Sequence, residues 1–192
     1  MQNEGLLVTL TVTRLLEKLD VAYIVGGSFA STAYGKIRTT LDADIVAALQ
    51  LYHVDEFIAG LGKQFYVDES AVRSAIVNES SFNLIHLDTF FKVDIFRMRS
   101  RPFDQKQIER GIPQTLVVPD GIVMMASPED TVLAKLEWYQ LGGEVSERQW
   151  RDVHGVLSVQ GGRLDFDYLK RWAVNLGLGE LLARALRESG LL

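Results

Sequence analysis

The chain of 192 residues contains no cysteine. That absence excludes disulfides, a thiolate nucleophile, Cys-ligated zinc and iron–sulfur clusters. It also suits a reducing cytosol. Histidine is scarce. His53, His86 and His154 lie far apart and none forms an i, i+4 pair, so a histidine-rich zinc site has no support. Basic side chains are outnumbered, with 20 Lys and Arg against 25 Asp and Glu and a net charge of −5. Broad coating of nucleic acid needs the opposite balance, although a local basic groove is compatible with it. No apolar run approaches the ~18 residues that span a bilayer. The longest candidate, Thr115 to Ala126, is interrupted by Pro119 and Asp120. Met1-Gln2-Asn3-Glu4 lacks the positive start of a signal peptide. A soluble, cytoplasmic protein without membrane association is expected.

What is present is enough for a real core. The chain is 47% hydrophobic, and a chain of this size buries roughly 70% of its unfolded surface. With cysteine absent and histidine scattered, metal chemistry would run mainly on carboxylates. Their oxygens favour hard cations such as Mg²⁺ or Mn²⁺.

Periodicity predicts a helix over Leu6 to Leu19, with Leu6, Leu10, Thr13, Leu16 and Leu19 near one face. A short strand follows over Val21 to Val25, then a break at Gly26-Gly27-Ser28 and a helix from Phe29 to Tyr34 closed by Gly35. Asp42 to Ala48 reads as a strand, Val54 to Leu61 and Ser70 to Val77 as helices, and Phe65 to Val67 as a short strand. Phe82 to Leu87 and Phe90 to Phe96 read as strands around Asp88-Thr89. A helix over Pro102 to Arg110 is expected to end at Gly111-Ile112-Pro113, with extended segments over Thr115 to Met125. Ser127-Pro128-Glu129-Asp130 is a helix start: a serine N-cap, a proline in the first turn, and acids against the positive end of the dipole. Helices are expected over Pro128 to Leu141, Ser146 to Leu157, Phe166 to Leu176 and Leu178 to Ser189. Trp138, Trp150 and Trp172 read as helix packing. The expectation is an α+β fold: a mixed-sheet domain over residues 1–126 and a helical C-terminal domain over 127–192.

Three features carry the chemistry. Gly26-Gly27-Ser28 sits between a strand and a helix. Glycine lets the backbone approach a ligand, and the helix start presents free N–H groups that favour phosphate. Asp42 and Asp44 stand at i and i+2 of a strand, on one face. Two such carboxylates repel unless a cation lies between them, or unless the strand end is well solvated. Asp94 shares a strand face with Phe90, Lys92 and Phe96. An acid there calls for a metal, or for a salt bridge to Lys92 or Arg97. Ser28 precedes Asp42 by 14 positions, room for one short helix and a turn. A phosphate cradle, two acids on the next strand and a third on a later strand would compose a two-metal site for phosphoryl transfer.

The constellation resembles the nucleotidyltransferase superfamily that includes polymerase β. The matching residues are Gly26, Gly27 and Ser28, then Asp42 and Asp44, then Asp94. Tyr34 to Leu41 is also similar to the Gly-x-x-Arg-x-Thr-x-Asp approach of minimal bacterial members, with Arg38 as its arginine. Within the superfamily the chain looks nearest to small bacterial proteins of the abortive-infection toxin type. Those carry a helical C-terminal lysine, here Lys135, and a later basic–acid pair, here Arg151-Asp152, where arginine replaces the usual lysine. The resemblance covers roughly residues 20–158. It implies a Mg²⁺- or Mn²⁺-dependent enzyme of the NMP-transferring class. Asp42, Asp44 and Asp94 would be its metal-binding and catalytic acids. Gly26, Gly27, Ser28, Arg38 and Lys135 would contact the nucleotide. For Lys135 the competing reading is a solvated helix lysine, and for Arg38 a loop salt bridge. The donor would be an NTP. The acceptor would be a hydroxyl of RNA such as a tRNA end, of a protein or of a small molecule, and an antitoxin is a conceivable partner. The alternative is a non-catalytic nucleotide-binding or partner-binding regulator on the same fold. Finally, Lys92 to Arg110 holds six basic against three acidic side chains, a mildly basic segment that would either guide an acceptor or form a solvated face.

Overall fold

The computed structural model describes residues 2–36, 42–118 and 121–192. Among the described residues the order is α1 (Gln2–Lys18), β1 (Tyr23–Val25), α2 (Gly27–Tyr34), β2 (Asp42–Ala47), α3 (Val54–Leu61), β3 (Phe65–Tyr66), α4 (Glu69–Val77), β4 (Ser81–His86), β5 (Lys92–Arg97), α5 (Pro102–Glu109), β6 (Ile112–Thr115), β7 (Ile122–Met125), α6 (Pro128–Leu141), α7 (Glu147–Gln160), α8 (Phe166–Asn175) and α9 (Gly179–Glu188). This is the expected α+β architecture. The chain divides into two compact units, Met1–Gly26 with Thr39–Met125 and Gly27–Arg38 with Ala126–Leu192.

The first unit is built on a seven-stranded mixed sheet in the order β3-β4-β5-β2-β1-β7-β6. Its centre follows from alternation. In β2, Ala43, Ile45 and Ala47 are buried while Asp42, Asp44 and Val46 are only partly covered. In β5, Val93 and Ile95 are buried while Lys92, Asp94 and Phe96 are partly covered. One face seals the core and the other carries charge. Helix α1 packs against β2, β7 and α3 through Val8, Leu10, Val12 and Leu16, all buried. The strands β2 and β5 run parallel, while β4 pairs antiparallel with β5 and β1 with β2.

Most elements form where the periodicity places them, with ends shifted by a residue or two. One difference has a clear cause. The helix α5 ends before Gly111-Ile112-Pro113 as expected, but the same segment is also the entry to β6, with Pro113 inside the strand. β6 is an outermost strand and pairs with β7. Proline's missing N–H is tolerated on an edge.

The second unit is helical, and it contains α2 together with α6 to α9. Ser127 caps α6 as the sequence predicts, its Oγ accepting from the Asp130 N–H at 3.1 Å, with Pro128 in the first turn. Asp130 is fully buried and also accepts from the Tyr168 hydroxyl at 2.6 Å, tying α6 to α8. Val132, Leu133 and Leu136 of α6, Val153, Val156 and Leu157 of α7 and Leu169 of α8 are buried completely. Gly35, at the end of α2, is required by a close backbone approach. A Cβ there would meet the Ser31 carbonyl at 2.7 Å and backbone atoms of Gly155 and Val156 on α7 at 2.9 Å. Two of the three tryptophans pack as expected. Trp150 lies 4.9 Å from the Tyr139 ring with the Arg184 guanidinium 4.4 Å above it, and Trp172 lies 6.2 Å from Tyr168. Trp138 does not bury; it is half exposed.

Candidate functional site

In the first unit the backbone ladder sets the acids in register. β2 and β5 pair as Asp42↔Lys92, Ala43↔Val93 and Asp44↔Asp94. Directly paired residues project from the same face. The Gly26 N–H extends the β1–β2 ladder by donating to the Asp44 carbonyl at 2.8 Å. On the other flank Asn83 of β4 pairs with Asp94. Gly26, Asp44, Asp94 and Asn83 thus form one rung across four strands. Asp42 and Lys92 lie on the next rung of the same face. Among the described residues, a Cβ built on Gly26 would meet nothing within 4 Å, so this end of the rung opens onto space.

Three carboxylates on one face of two adjacent strands repel one another. Neighbouring strands lie only about 4.8 Å apart, and like charges directly opposite are destabilising. The local offset is Lys92, whose Nζ lies 2.7 Å from Asp94 Oδ2. Its hydrogen bond to Asp94 raises the ammonium above the ordinary lysine range; burial opposes this, and the charges of Asp94, Asp42 and Asp44 add to it. The ion pair that the sequence offered as the alternative for Asp94 is therefore formed.

The donor set fits a hard divalent cation in chemistry and in register: carboxylate oxygens alone, on adjacent strands, beside open space. Its present arrangement is not a finished chelate. Among the described residues no group of three His, Asp or Glu side chains is assembled to hold a metal ion.

In the second unit Gly27 opens α2 with φ +53°, a left-handed conformation that favours glycine. Ser28 follows and is buried. Its Oγ accepts from the Arg148 guanidinium of α7 at 3.0 Å. Ser31 Oγ lies 3.2 Å from the Ser28 carbonyl and 3.4 Å from Asp152 Oδ2. The same Asp152 oxygen is 3.0 Å from Lys135 Nζ, with both side chains under one-tenth exposed. Lys135 is therefore not the solvated helix lysine that competed for its assignment. Nearby in sequence, the Tyr34 hydroxyl is buried and has no hydrogen-bond partner among the described residues. Burial, then the Glu129 charge, pushes it up to about 12.

Arg148 is the residue that sequence reasoning passed over. Arg151 and Asp152 are neighbours in sequence and both arginines, Arg148 and Arg151, are exposed, but it is the Arg148 guanidinium that reaches Ser28. The position that shares a helix face with Asp152 is i−4, which is Arg148. Arg38 lies outside the described residues. All three acids of the basic segment pair with bases within it, Lys92–Asp94, Arg101–Asp104 and Lys106–Glu109, which leaves its net charge unchanged.

The sequence matches no family model and no curated protein. The structure does find likenesses. An antigenic nucleotidyltransferase-like protein from Paracoccidioides brasiliensis aligns with a TM-score of 0.51 at 15% identity, covering 97% of this chain and 94% of that one. The antibiotic-resistance factor ANT(2'')-Ia aligns with a TM-score of 0.50 at 10% identity, covering 91% and 96%. The chain has a nucleotidyltransferase fold. At these identities the likeness concerns the fold alone. Within that nucleotidyltransferase fold, the paired positions of Asp44 and Asp94 come from this chain's own ladder. No helix among the described residues is long and apolar enough to cross a membrane.

Proposed function

We propose that the protein is a nucleotidyltransferase that moves a nucleoside monophosphate from an NTP to an acceptor hydroxyl. The observation that carries this reading is the rung Gly26–Asp44–Asp94 on a sheet of nucleotidyltransferase type. The acceptor oxygen forms a bond to the α-phosphorus, the bond from that phosphorus to the bridging oxygen breaks, and pyrophosphate leaves with the electron pair. Asp42, Asp44 and Asp94 would hold Mg²⁺ or Mn²⁺, which supplies charge neutralisation for the phosphates and the attacking oxygen. Asp94 takes the proton of the acceptor hydroxyl. Ser28 and the N–H groups that open α2 hold phosphate oxygens. Lys135 is assigned to the nucleotide on the sequence pattern. Arg38 is assigned to the nucleotide as well, on the sequence pattern.

The acceptor class is RNA, a protein side chain or a small molecule. A toxin role with a neutralising partner rests on the sequence resemblance. The test is incubation with labelled NTPs, Mg²⁺ and either total RNA or lysate. Label transfer by the wild type that is lost in the Asp42→Asn/Asp44→Asn double variant is the expected result. Equal transfer by both proteins would falsify the assignment.

A further inference from the structure

Among the described residues, Lys92 places a cation within the acid rung itself. Lys92 stands on β5 two residues before Asp94 and directly beside Asp42 in the ladder. Its ammonium is 2.7 Å from an Asp94 oxygen, and its side chain is 43% exposed against 19% for Asp94. The arrangement therefore combines an acid that is largely covered with a partner that has room to leave. Three carboxylates share this face, and among the described residues no chelating group is assembled, so the Lys92–Asp94 pair must part before a cation can use all three.

We infer that Lys92 is a built-in counter-cation that occupies Asp94 when no metal is bound and is displaced from it when a divalent cation enters. This rests on the reading of Asp42, Asp44 and Asp94 as the metal-binding acids. The physical reason is competition for the same lone pairs. An oxygen of Asp94 that accepts from an ammonium at 2.7 Å is desolvated and committed. A cation with stronger field and more ligands replaces it only after that bond is broken. Lys92 would then serve two ends. Without metal it offsets the charge of Asp94. With metal it sets the threshold concentration for binding. It acts through Asp94 and is a positioning residue in this sense.

The experiment is calorimetric titration with Mn²⁺ alone, without nucleotide, on wild type, Lys92→Met, Lys92→Arg and Asp44→Asn. Lys92→Met keeps the stem and removes the charge. It should bind Mn²⁺ roughly threefold to tenfold more tightly than wild type, the range expected for losing one partly exposed ion pair. Its melting temperature should be lower than wild type in chelator and should recover on adding Mn²⁺. Lys92→Arg should bind as wild type does. Binding by Lys92→Met that is unchanged, weaker or absent overturns the inference. If Asp44→Asn still weakens Mn²⁺ binding in that case, the metal-site reading stands and Lys92 alone is misassigned. If Asp44→Asn binds Mn²⁺ as well as wild type does, the metal-site reading falls too. If Lys92→Met does not fold, the inference is decided on Lys92→Gln by the same titration.

Discussion

The two units of this chain handle buried charge in opposite ways. In the sheet unit Asp42, Asp44 and Asp94 share a face with Lys92, and the ion pair Lys92–Asp94 is part exposed. In the helical unit the Lys135–Asp152 pair is matched and dry, both side chains under one-tenth exposed, with a serine hydroxyl at 3.4 Å. A fold built for stability alone would have little use for the first arrangement. An unbalanced acidic rung is costly unless a ligand completes it. A matched buried pair is costly to break but does not ask for a ligand. The sheet unit is therefore where loss of a charge should alter chemistry, and the helical unit is where it should alter folding.

The largest expected effect tests the first half of that contrast. Asp44→Asn should lower label transfer by roughly 10²–10³-fold or more, while the melting temperature stays the same or rises because one of three crowded charges is gone. A large fall in melting temperature would place Asp44 with the structural charges instead. The second half is tested by Lys135→Met, which takes the Lys135 ammonium from a buried Asp152. Urea unfolding should show a loss of about 3–5 kcal/mol. The double variant Lys135→Met/Asp152→Leu should regain much of it. A single variant within 1 kcal/mol of wild type would break the comparison, because it would make the dry pair as dispensable as a surface one.

A smaller effect probes the packing that the dry cluster depends on. Gly35→Ala forces a Cβ against backbone atoms at 2.7–2.9 Å, and helices α2 and α7 must part to admit it. About 1–3 kcal/mol of destabilisation is expected by the same unfolding measurement.

At alkaline pH the two units should behave alike, and the effect is the smallest. Burial raises the hydroxyls of Tyr23 in the sheet unit and Tyr34 in the helical unit to about 12 from 10.0. The unfolded chain therefore releases these protons first as pH rises. This contribution is complete below pH 10 and is lost as pH climbs from 10 toward 12. Tyr34→Phe, which removes the titrating hydroxyl and no hydrogen bond among the described residues, should flatten that limb of a stability–pH curve. An unchanged limb would show that Tyr34 titrates as an ordinary phenol in the folded protein.

The fold was readable where a single local signal governs an element. Alternation gave β2 and β5, and the Ser127-Pro128 start gave α6 to the residue. The acids Asp42, Asp44 and Asp94 could be picked from spacing because strand faces obey a period of two. What spacing could not supply is pairing across the chain. That Asp44 stands beside Asp94, and Lys92 beside Asp42, depends on a parallel ladder between segments some 50 residues apart. The partner of Lys135 was missed for a related reason. Asp152 lies on another helix, and only burial turns a surface-looking lysine into half of an ion pair. Pro113 misled because proline stops most elements but not an edge strand.

The parallel pairing of β2 with β5 has a consequence for how the chain can vary. Residues 48–91, which include α3, β3, α4 and β4, leave the sheet centre and return to it. Insertions or deletions at the loop tips of that excursion would leave the Asp44–Asp94 rung intact, since hydrogen bonds and not chain length hold it. A single residue added between Lys92 and Asp94 would do the reverse. It would turn Asp94 toward the apolar core and present its neighbour to Asp44. Length is free in one stretch of this protein and quantised in another, and the boundary between the two is the first hydrogen bond of β5.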